Sequence, residues 1–474
     1  MAKKNDLPAL IISLLITVGV IGGGAWWLKN QFFGSGASIS NTPGQVRPGS
    51  SQGNGAAAIA GADGTSGRSM LPGNVSATKQ KGLDALAAKD YAAAQVEFTA
   101  ALKESRNDPE SLIHLNNAKI GDGPSYTIAL SVPAGKSINP ALELMRGAAH
   151  AQSDLNAAGG INGTPIKILV IDDSGSQERA EANAAELVSN ENVLGVVGHY
   201  ASGTTIAAAQ VYEAGKLGMI SPTSTAVAIS NAGDYIFRTV PSDRLASATL
   251  ARYVLGELNK TKAAVFYTGN STYSNSVKSE FTTELLSNGG QVVADFDIGE
   301  AGFSAGRAVQ QAKDAGADII MLALTADTAD TSLQIISVNQ KELPMVGGDD
   351  LYDPKILDVG RANAEGLTVA VPWHILRHEQ KPFVTGSRQL WGGDVSWRTV
   401  MAYDAVATFA QAIKDGGPTR QGIVDALSGS GFSAQGATDE VRFLPMGDRN
   451  QPSQLVKVEP GPRSGSGYDY VPVQ

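Results

Sequence analysis

The sequence predicts an α/β protein with two doubly wound parallel sheets. Short apolar strands alternate with helical segments from Ser125 onwards, and this rhythm stops after Val240 and starts again at Ala263. Such alternation is typical of parallel sheets covered by helices. Because the two runs are similar in size, we expect two lobes with a cleft between them.

The first run contains four predicted strands. Its first helix ends at the glycine pair 159–160, as helix C-termini commonly do. The predicted strands are Tyr126 to Val132, Ile166 to Ile171, Leu194 to Val197 and Met219 to Ile220, and the predicted helices are Pro140 to Ala158 and Gln177 to Ser189.

The second run repeats this pattern. Its predicted strands are Ala263 to Tyr267, Gln291 to Phe296, Asp318 to Leu324 and Met345 to Val346, and its predicted helices are Ser274 to Asn288, Ala305 to Ala315 and Ala329 to Val338. Each helix follows a strand, so the second run also predicts a parallel sheet.

Two clusters of small hydroxyl residues follow neighbouring strands of the first run. Ser202, Thr204 and Thr205 begin a helix, and Ser221 with 223–225 ends the next strand. Helix N-termini carry unpaired amides and favour carboxylates, and ligands of open α/β sheets bind beyond the carboxyl ends of strands. Ser and Thr are also common helix caps. Two clusters in adjacent units nevertheless favour a site for a small anionic or zwitterionic ligand.

The sequence around these clusters resembles a known family, the type I periplasmic solute-binding proteins of ABC transporters, in their leucine/isoleucine/valine-binding branch. Gly198–Ser202 and Ile220–Thr225 are similar to the two loops that grip the ligand in that branch. Asn156–Gly163 resembles its first helix-to-strand connection. The resemblance covers residues 124–474 and is more specific in the first lobe than in the second.

The resemblance implies an interleaved chain with three crossovers between the lobes, near Thr239–Ser242, Leu367–Pro372 and Gly436–Phe443. Lobe 1 would then contain residues 124–240 and 372–435, and lobe 2 would contain 242–368 and 437–474.

An α-amino acid presents a carboxylate and an ammonium group, and a closed cleft must satisfy both because unpaired buried charge is costly. The resemblance assigns the hydroxyl contacts to Ser202 and Thr225, and it assigns the backbone carbonyl of Thr223 to the ammonium group. These positions match the family's two loops one by one.

The resemblance also assigns two residues of lobe 2 to the ligand. Asp349 would complete the ammonium site, with Asp350 as the alternative, and Tyr273 would reach across the ligand. The acidic pair could instead belong to a solvated turn, and Tyr273 could be an ordinary aromatic at a helix start. Lys136 and Asp327, in the loops expected to shape the side-chain pocket, are charged, which argues against a purely apolar pocket.

The chain before residue 124 divides into three predicted parts. Residues 1–33 contain the uncharged stretch Leu7–Leu28, which follows two lysines and is long enough for a transmembrane helix. We expect an uncleaved single-pass anchor in the cell inner membrane with the rest of the chain in the periplasm, and the alternative is a cleaved signal peptide. Residues 34–75, rich in Gly, Ser and Ala, predict a disordered linker.

Residues 76–121 predict a small helical segment. Its spacing of small and large apolar residues resembles a tetratricopeptide unit, which could bind a protein partner, but only about one and a half repeats are visible. A plain helical hairpin packed on the main domain is the equal alternative.

Several function classes are excluded or lack support. The net charge of −9 argues against nucleic acid, and the absence of cysteine excludes disulfides and a lipoprotein anchor. The stretch 134–137 lacks the first glycine of a phosphate loop, and His374 with His378 has no third metal ligand at known spacing. We therefore predict no catalytic residue, no cofactor and no metal, and hence no enzyme.

The sequence thus predicts an extracytoplasmic solute-binding protein. It would capture a small polar ligand, an amino acid or a related small amide, between its lobes and pass it to an ABC permease. The alternative is a membrane-anchored ligand-sensing receptor or scaffold module that uses the same fold.

Overall fold

Three helices precede the first strand of the structure, a computed structural model that describes residues 67–473. They are α1 (Ala77–Ala87), α2 (Tyr91–Glu104) and α3 (Pro109–Ile120). Ser76, Asp90 and Asp108 each accept a hydrogen bond from a first-turn amide, which satisfies donors that a helix leaves unpaired. Phe98 is fully buried among the three helices.

Helix α3 attaches this segment to the first lobe. Ile113 is fully buried in the main core, and the Asn117 side-chain amide donates to the carbonyl of Ile168 at 2.8 Å. The segment therefore packs on the main domain, as the hairpin alternative expected. The tetratricopeptide identity of α1 and α2 stays a prediction.

The last residues of the predicted linker are held by hydrogen bonds. The Ser69 hydroxyl and the Met70 amide both donate to the Glu110 carboxylate, each at 2.6 Å. A buried carboxylate needs such donors. Glu110 therefore holds Ser69 and Met70 in place, although composition alone assigned them to the flexible linker. Residues 34–66 of that linker lie outside the described residues.

The first sheet has five parallel strands in the order β2-β1-β3-β4-β5. Its strands are β1 (Tyr126–Val132), β2 (Ile166–Asp172), β3 (Val193–Val197), β4 (Met219–Ser221) and β5 (Ile236–Arg238), and its helices are α4 (Ile138–Ala157), α5 (Gln177–Ser189) and α6 (Ser202–Ala214). Strands β1 to β4 and helices α4 and α5 match the predicted elements within two residues at each end, because the apolar periodicity is strong there, whereas β5 was not among the predicted strands.

The second sheet has seven strands in the order β14-β13-β10-β9-β8-β6-β7. Its strands are β6 (Lys262–Tyr267), β7 (Gln291–Asp297), β8 (Ile319–Ala323), β9 (Met345–Gly347), β10 (Thr368–Val371), β13 (Gln454–Pro460) and β14 (Tyr468–Pro472). The helices of this region are α7 (Asp243–Arg252), α8 (Thr272–Ser287), α9 (Ala305–Asp314), α10 (Ala329–Asn339) and α11 (Arg361–Ala364). Strands β13 and β14 are antiparallel additions beside β10.

The chain crosses between the sheets three times. It leaves the first sheet after β5, and it leaves the second after β10 to form α12 (Pro382–Trp391), α13 (Trp397–Gly416) and α14 (Arg420–Leu427). It then makes the short pair β11 (Ala434–Gln435) and β12 (Glu440–Val441) and returns to the second sheet at β13. We call the first sheet with its helices, including α13, lobe 1, and the second sheet with its helices lobe 2.

Close packing of α4 against α13 joins the late helices to lobe 1. A Cβ atom on Gly147 would lie 2.2 Å from the carbonyl oxygen of Thr399 and 2.7 Å from the Ala402 Cβ. Only glycine permits this approach of the two helices. Lobe 1 therefore contains chain segments that are far apart in sequence.

No helix within residues 67–473 combines the length and the apolar character needed to cross a bilayer. The predicted anchor at Leu7–Leu28 lies outside the described residues.

Candidate ligand-binding site

A cavity of about 290 Å³ lies between the lobes at the carboxyl ends of their parallel strands. Lobe 1 contributes Lys136, Gly175, Gln177, Tyr200, Ala201, Ser202, Gly203, Thr204 and Thr223. Lobe 2 contributes Thr268, Asn270, Ser271, Thr272, Tyr273, Thr325, Ala326, Asp327, Thr328 and Asp350.

The N-terminus of α6 opens onto this cavity without a side-chain cap. Its N-cap residue is Ala201, which has no polar side chain, whereas Ser176 and Ser271 cap the neighbouring helices α5 and α8. The first-turn amides of α6 therefore have no side-chain acceptor and carry the positive end of the helix dipole. Ser202, the first residue of α6, accepts through its Oγ from the amide of Ala226 at 3.2 Å.

The second hydroxyl cluster is tied to the first one by hydrogen bonds. Thr223 Oγ1 donates to the carbonyl of Tyr200 at 2.8 Å, and Ser221 Oγ donates to that of His199 at 2.9 Å. Ser224 Oγ is 2.7 Å from Thr205 Oγ1. Many of these hydroxyls thus fix the relative positions of the two loops, and Thr223 also lines the cavity.

Thr225 is buried and is not among the residues that line the cavity. Its side chain lies beside the Asp243 carboxyl, and its carbonyl accepts from the amide of Asp243 at 2.9 Å. Burial raises the pKa of the Asp243 carboxyl to about 6, although Ser276 and Thr225 oppose the shift.

Arg238 stabilises the hydroxyl-rich loop that follows β4. It is fully buried, and its guanidinium donates to the carbonyl of Ala226 at 2.9 Å and to Asp448 at 2.7 Å. It also donates to the hydroxyl of Ser230 at 2.8 Å. A planar guanidinium with several donors in fixed directions suits this bracing role.

His199 supports the first loop in a similar way. Its Nδ1 lies 2.6 Å from Asp173 Oδ2, and its Nε2 lies 3.1 Å from the hydroxyl of Tyr212. All three side chains are buried. The ligand loops of lobe 1 therefore rest on a hydrogen-bonded layer that holds their shape.

Lobe 2 provides a buried carboxylate, Asp349, that forms no salt bridge with any described residue. The hydroxyl of Tyr273 donates to Asp349 Oδ1 at 2.7 Å, and only Tyr273 of this pair lines the cavity. Burial, followed by the neighbouring carboxylates of Asp350 and Asp243, raises the pKa of Asp349 to about 8. A positive ligand group here would relieve this cost.

Asp350, by contrast, is already paired. Its Oδ1 accepts from Arg398 at 3.1 Å and from the hydroxyl of Tyr200 at 3.0 Å, and its Oδ2 accepts from the amide of Ala326 at 3.2 Å. Arg398 and Tyr200 belong to lobe 1, so these bonds cross the cleft. Although burial opposes it, Tyr200 and nearby carboxylates raise the pKa of Arg398.

A second pair of bonds crosses the cleft at the side-chain loops. Lys136 Nζ lies 2.8 Å from Asp327 Oδ2, and the Ser137 hydroxyl donates to Asp327 Oδ1 at 2.8 Å. The two charges that the sequence placed in these loops thus neutralise each other in the cavity wall.

The structure brings together most of the residues that the sequence selected. Ser202, Thr223 and Tyr273 line the cavity, whereas Thr225 and Asp349 are buried and are not among the lining residues. Asp350, the alternative to Asp349, lines the cavity as well.

Sequence reasoning missed two buried arginines, Arg238 and Arg398. The signal was present, because each is a single arginine beside apolar residues in a buried element, and such a charge needs a partner. The sequence alone does not identify the partners. Within residues 67–473, no group of three or more histidine, aspartate or glutamate side chains is placed to hold a metal ion.

Two α/β lobes around a polar cavity define the class of two-lobed binding proteins. Residues 130–465 match the family model described as periplasmic binding protein. The chain therefore belongs to the periplasmic binding protein family.

Comparison with known proteins gives relatives within this class. The chain is 37% identical over 123 residues to an amino acid binding protein of Pseudomonas aeruginosa, a match that covers 26% of this chain and 33% of that relative. It is 25% identical over 328 residues to the leucine-, isoleucine-, valine-, threonine-, and alanine-binding protein of the same species, covering 68% of this chain and 86% of that protein.

A solved structure confirms the fold. The ABC transporter substrate-binding protein from Desulfitobacterium hafniense in complex with Leu superimposes with a TM-score of 0.62 at 24% identity. The match covers 73% of this chain and 100% of that chain. The likeness concerns the two-lobed fold.

Proposed function

We propose that this chain is an extracytoplasmic solute-binding protein that captures an amino acid, or a related small amide, between its lobes for an ABC-type importer. The observation that supports this most directly is the opposition of two uncompensated groups. The uncapped N-terminus of α6 lies in lobe 1, and the buried carboxylate of Asp349 lies in lobe 2.

The opposed groups match the two ends of a zwitterion. The amides of α6 and the hydroxyl of Ser202 would bind the carboxylate, as helix N-termini commonly do. The ammonium group would bind where Tyr273 meets Asp349, with the carbonyl of Thr223 as a further acceptor. Thr225 would support this loop through its carbonyl, which accepts from the amide of Asp243.

Ligand binding would close the cleft by differential affinity. A ligand that contacts both lobes stabilises the closed form more than the open one. The bonds of Asp350 and Asp327 to lobe 1 cross the cleft, so they would add to the stability of a closed form. The closed form would then dock on the permease.

The same fold would also suit a membrane-anchored ligand-sensing receptor or scaffold. In such a receptor or scaffold, the helical segment α1–α3 would bind a partner protein. Val96 on α2 is 67% exposed and gives such a partner an apolar contact point. An anchor at Leu7–Leu28 would hold either version at the outer face of the inner membrane.

Calorimetric titration of the full-length chain with the twenty amino acids, urea and short amides tests the proposal. We expect tight binding of one chemical class, weakened by about tenfold or more in Ser202→Ala and in Asp349→Ala. The exposed-site variants Ser287→Ala and Asp234→Asn should bind like the parent chain. Binding that is unchanged in both site variants would contradict the assigned site.

Uptake of the bound solute distinguishes transport from sensing. Cells that lack the gene should lose uptake of the labelled solute if the protein serves an importer. Normal uptake combined with retained solute binding would favour the receptor.

A further inference from the structure

The residues that line the cavity between the lobes are mostly polar or small. Among the described residues that form its wall, there is no valine, leucine, isoleucine, methionine, phenylalanine or tryptophan. The apolar surface available to a ligand comes from the methyl groups of alanine and threonine, from the Lys136 stem and from the rings of Tyr200 and Tyr273. A pocket for a branched aliphatic side chain would instead be lined by apolar groups, because burial of apolar surface drives such binding.

An aliphatic side chain would also displace water from these polar groups without replacing its hydrogen bonds. Sites built to hydrogen-bond a ligand group discriminate strongly against analogues that lack it, because the site's polar groups are then left unpaired. The residues that line this cavity therefore do not favour leucine, the ligand for which some relatives are named.

Two charged residues in the cavity wall further restrict which side chain the ligand can carry. Lys136 and Asp327 meet at 2.8 Å, so a cation and an anion adjoin the same part of the cavity. A charged ligand group there would be attracted by one of these residues and repelled by the other, so it would gain little net electrostatic stabilisation. A neutral group that both accepts and donates hydrogen bonds suits both residues.

A carboxamide has this combination in one planar group. Its oxygen can accept from the Lys136 ammonium group while its nitrogen donates to the Asp327 carboxylate. The side-chain amides of Gln177 and Asn270 add matching donors and acceptors to the wall.

We infer that the ligand is a neutral α-amino acid with a carboxamide side chain, recognised through Lys136 and Asp327. This inference rests on the proposed function, since the α-carboxylate and α-ammonium groups would bind as described there.

Leucine, asparagine and aspartate provide the test, because the three side chains share one branched shape and differ in polarity and charge. The full-length chain is titrated with each, with glutamine and glutamate as the longer pair, and with alanine as a probe of the α-groups alone. We expect asparagine or glutamine to bind at least about tenfold more tightly than leucine and than the matching acid.

The double variant Lys136→Met/Asp327→Leu removes both charges with little change in size. It should reduce the preference for the carboxamide over leucine by about tenfold or more. The matched double variant Lys313→Met/Glu342→Leu removes an ion pair of similar length, 2.7 Å, from the surface of lobe 2 and should leave the preference unchanged.

The outcomes separate the inference from the proposed function. Leucine binding as tight as asparagine and glutamine binding would overturn the inference and leave an amino-acid-binding protein. Binding of a carboxamide that the double variant does not affect would also overturn the role of the two charged residues. Absence of binding for every amino acid, alanine included, would overturn the proposed function itself.

Discussion

The affinity of this protein for an amino acid should depend steeply on pH, because its ammonium site contains a carboxyl group that is protonated at neutral pH. The pKa of Asp349 is raised to about 8 by burial, by Asp350 and by Asp243. Binding of an ammonium group requires the ionised carboxylate, so binding must expel the proton.

The magnitude follows from linkage. If only the ionised form binds, the apparent Kd is multiplied by one plus the ratio of protonated to ionised Asp349. This factor is about 2 at pH 8, about 11 at pH 7 and about 100 at pH 6. Affinity should therefore fall about 50-fold from pH 8 to pH 6, and about 0.9 proton should be released on binding at pH 7.

Calorimetry at pH 7 in buffers of different ionisation enthalpy measures the proton release directly. The variant Asp349→Asn should bind weakly and release no proton, whereas the exposed-site variant Asp234→Asn should behave like the parent chain. The reasoning would be refuted by affinity that stays constant from pH 6 to pH 8 together with no proton release.

The same carboxyl group should destabilise the ligand-free protein. Because the folded pKa of Asp349 lies above its ordinary value of 3.8, the folded chain holds more protons than the unfolded chain between about pH 4 and pH 8. Its contribution to stability is therefore lost as pH rises through this window. We expect Asp349→Asn to raise the free energy of unfolding at pH 8 by about 1–3 kcal/mol, and by less at pH 5. A lower stability of this variant at pH 8 would contradict the argument.

Three further predictions concern the fold. Gly147→Ala should lower the free energy of unfolding in urea by about 2 kcal/mol or more, because its Cβ would lie 2.2 Å from a backbone oxygen of α13. Gly306→Ala, whose added Cβ would have no atom within 4 Å, should be neutral or stabilising, and equal effects of the two variants would contradict the packing argument. Arg238→Met should cost about 3–5 kcal/mol by leaving a buried carboxylate unpaired, while Arg442→Gln at an exposed pair should cost less than about 1 kcal/mol. Glu110 is held by His114 and Lys79, which lower its pKa to about 2 against the effect of burial, so its stabilising contribution is lost as pH falls from 4.5 towards 2. Hydrogen exchange in α1–α3 should show this acid dependence in the parent chain but not in Glu110→Gln.

The sequence determined the local elements and the two ligand loops of lobe 1. Strands such as β1 and helices such as α5 could be located because their apolar period is set by residues within one or two turns of each other. The hydroxyl clusters at Ser202 and Thr223 were visible because a helix start and a strand end are local features. The resemblance to the family rested on these same loops.

Only the tertiary structure decided the electrostatics of the site. Arg398 donates to Asp350, while Asp349 in the adjacent position forms no salt bridge with any described residue, and this difference arises from a contact between residues 48 apart in the chain. Lys136 and Asp327 are far apart in the sequence, and the contact between the two lobes brings them together as an ion pair in the cavity wall. Patterns along the chain reflect near neighbours, whereas a pKa or the polarity of a cavity is the sum over groups that the fold brings together from distant segments.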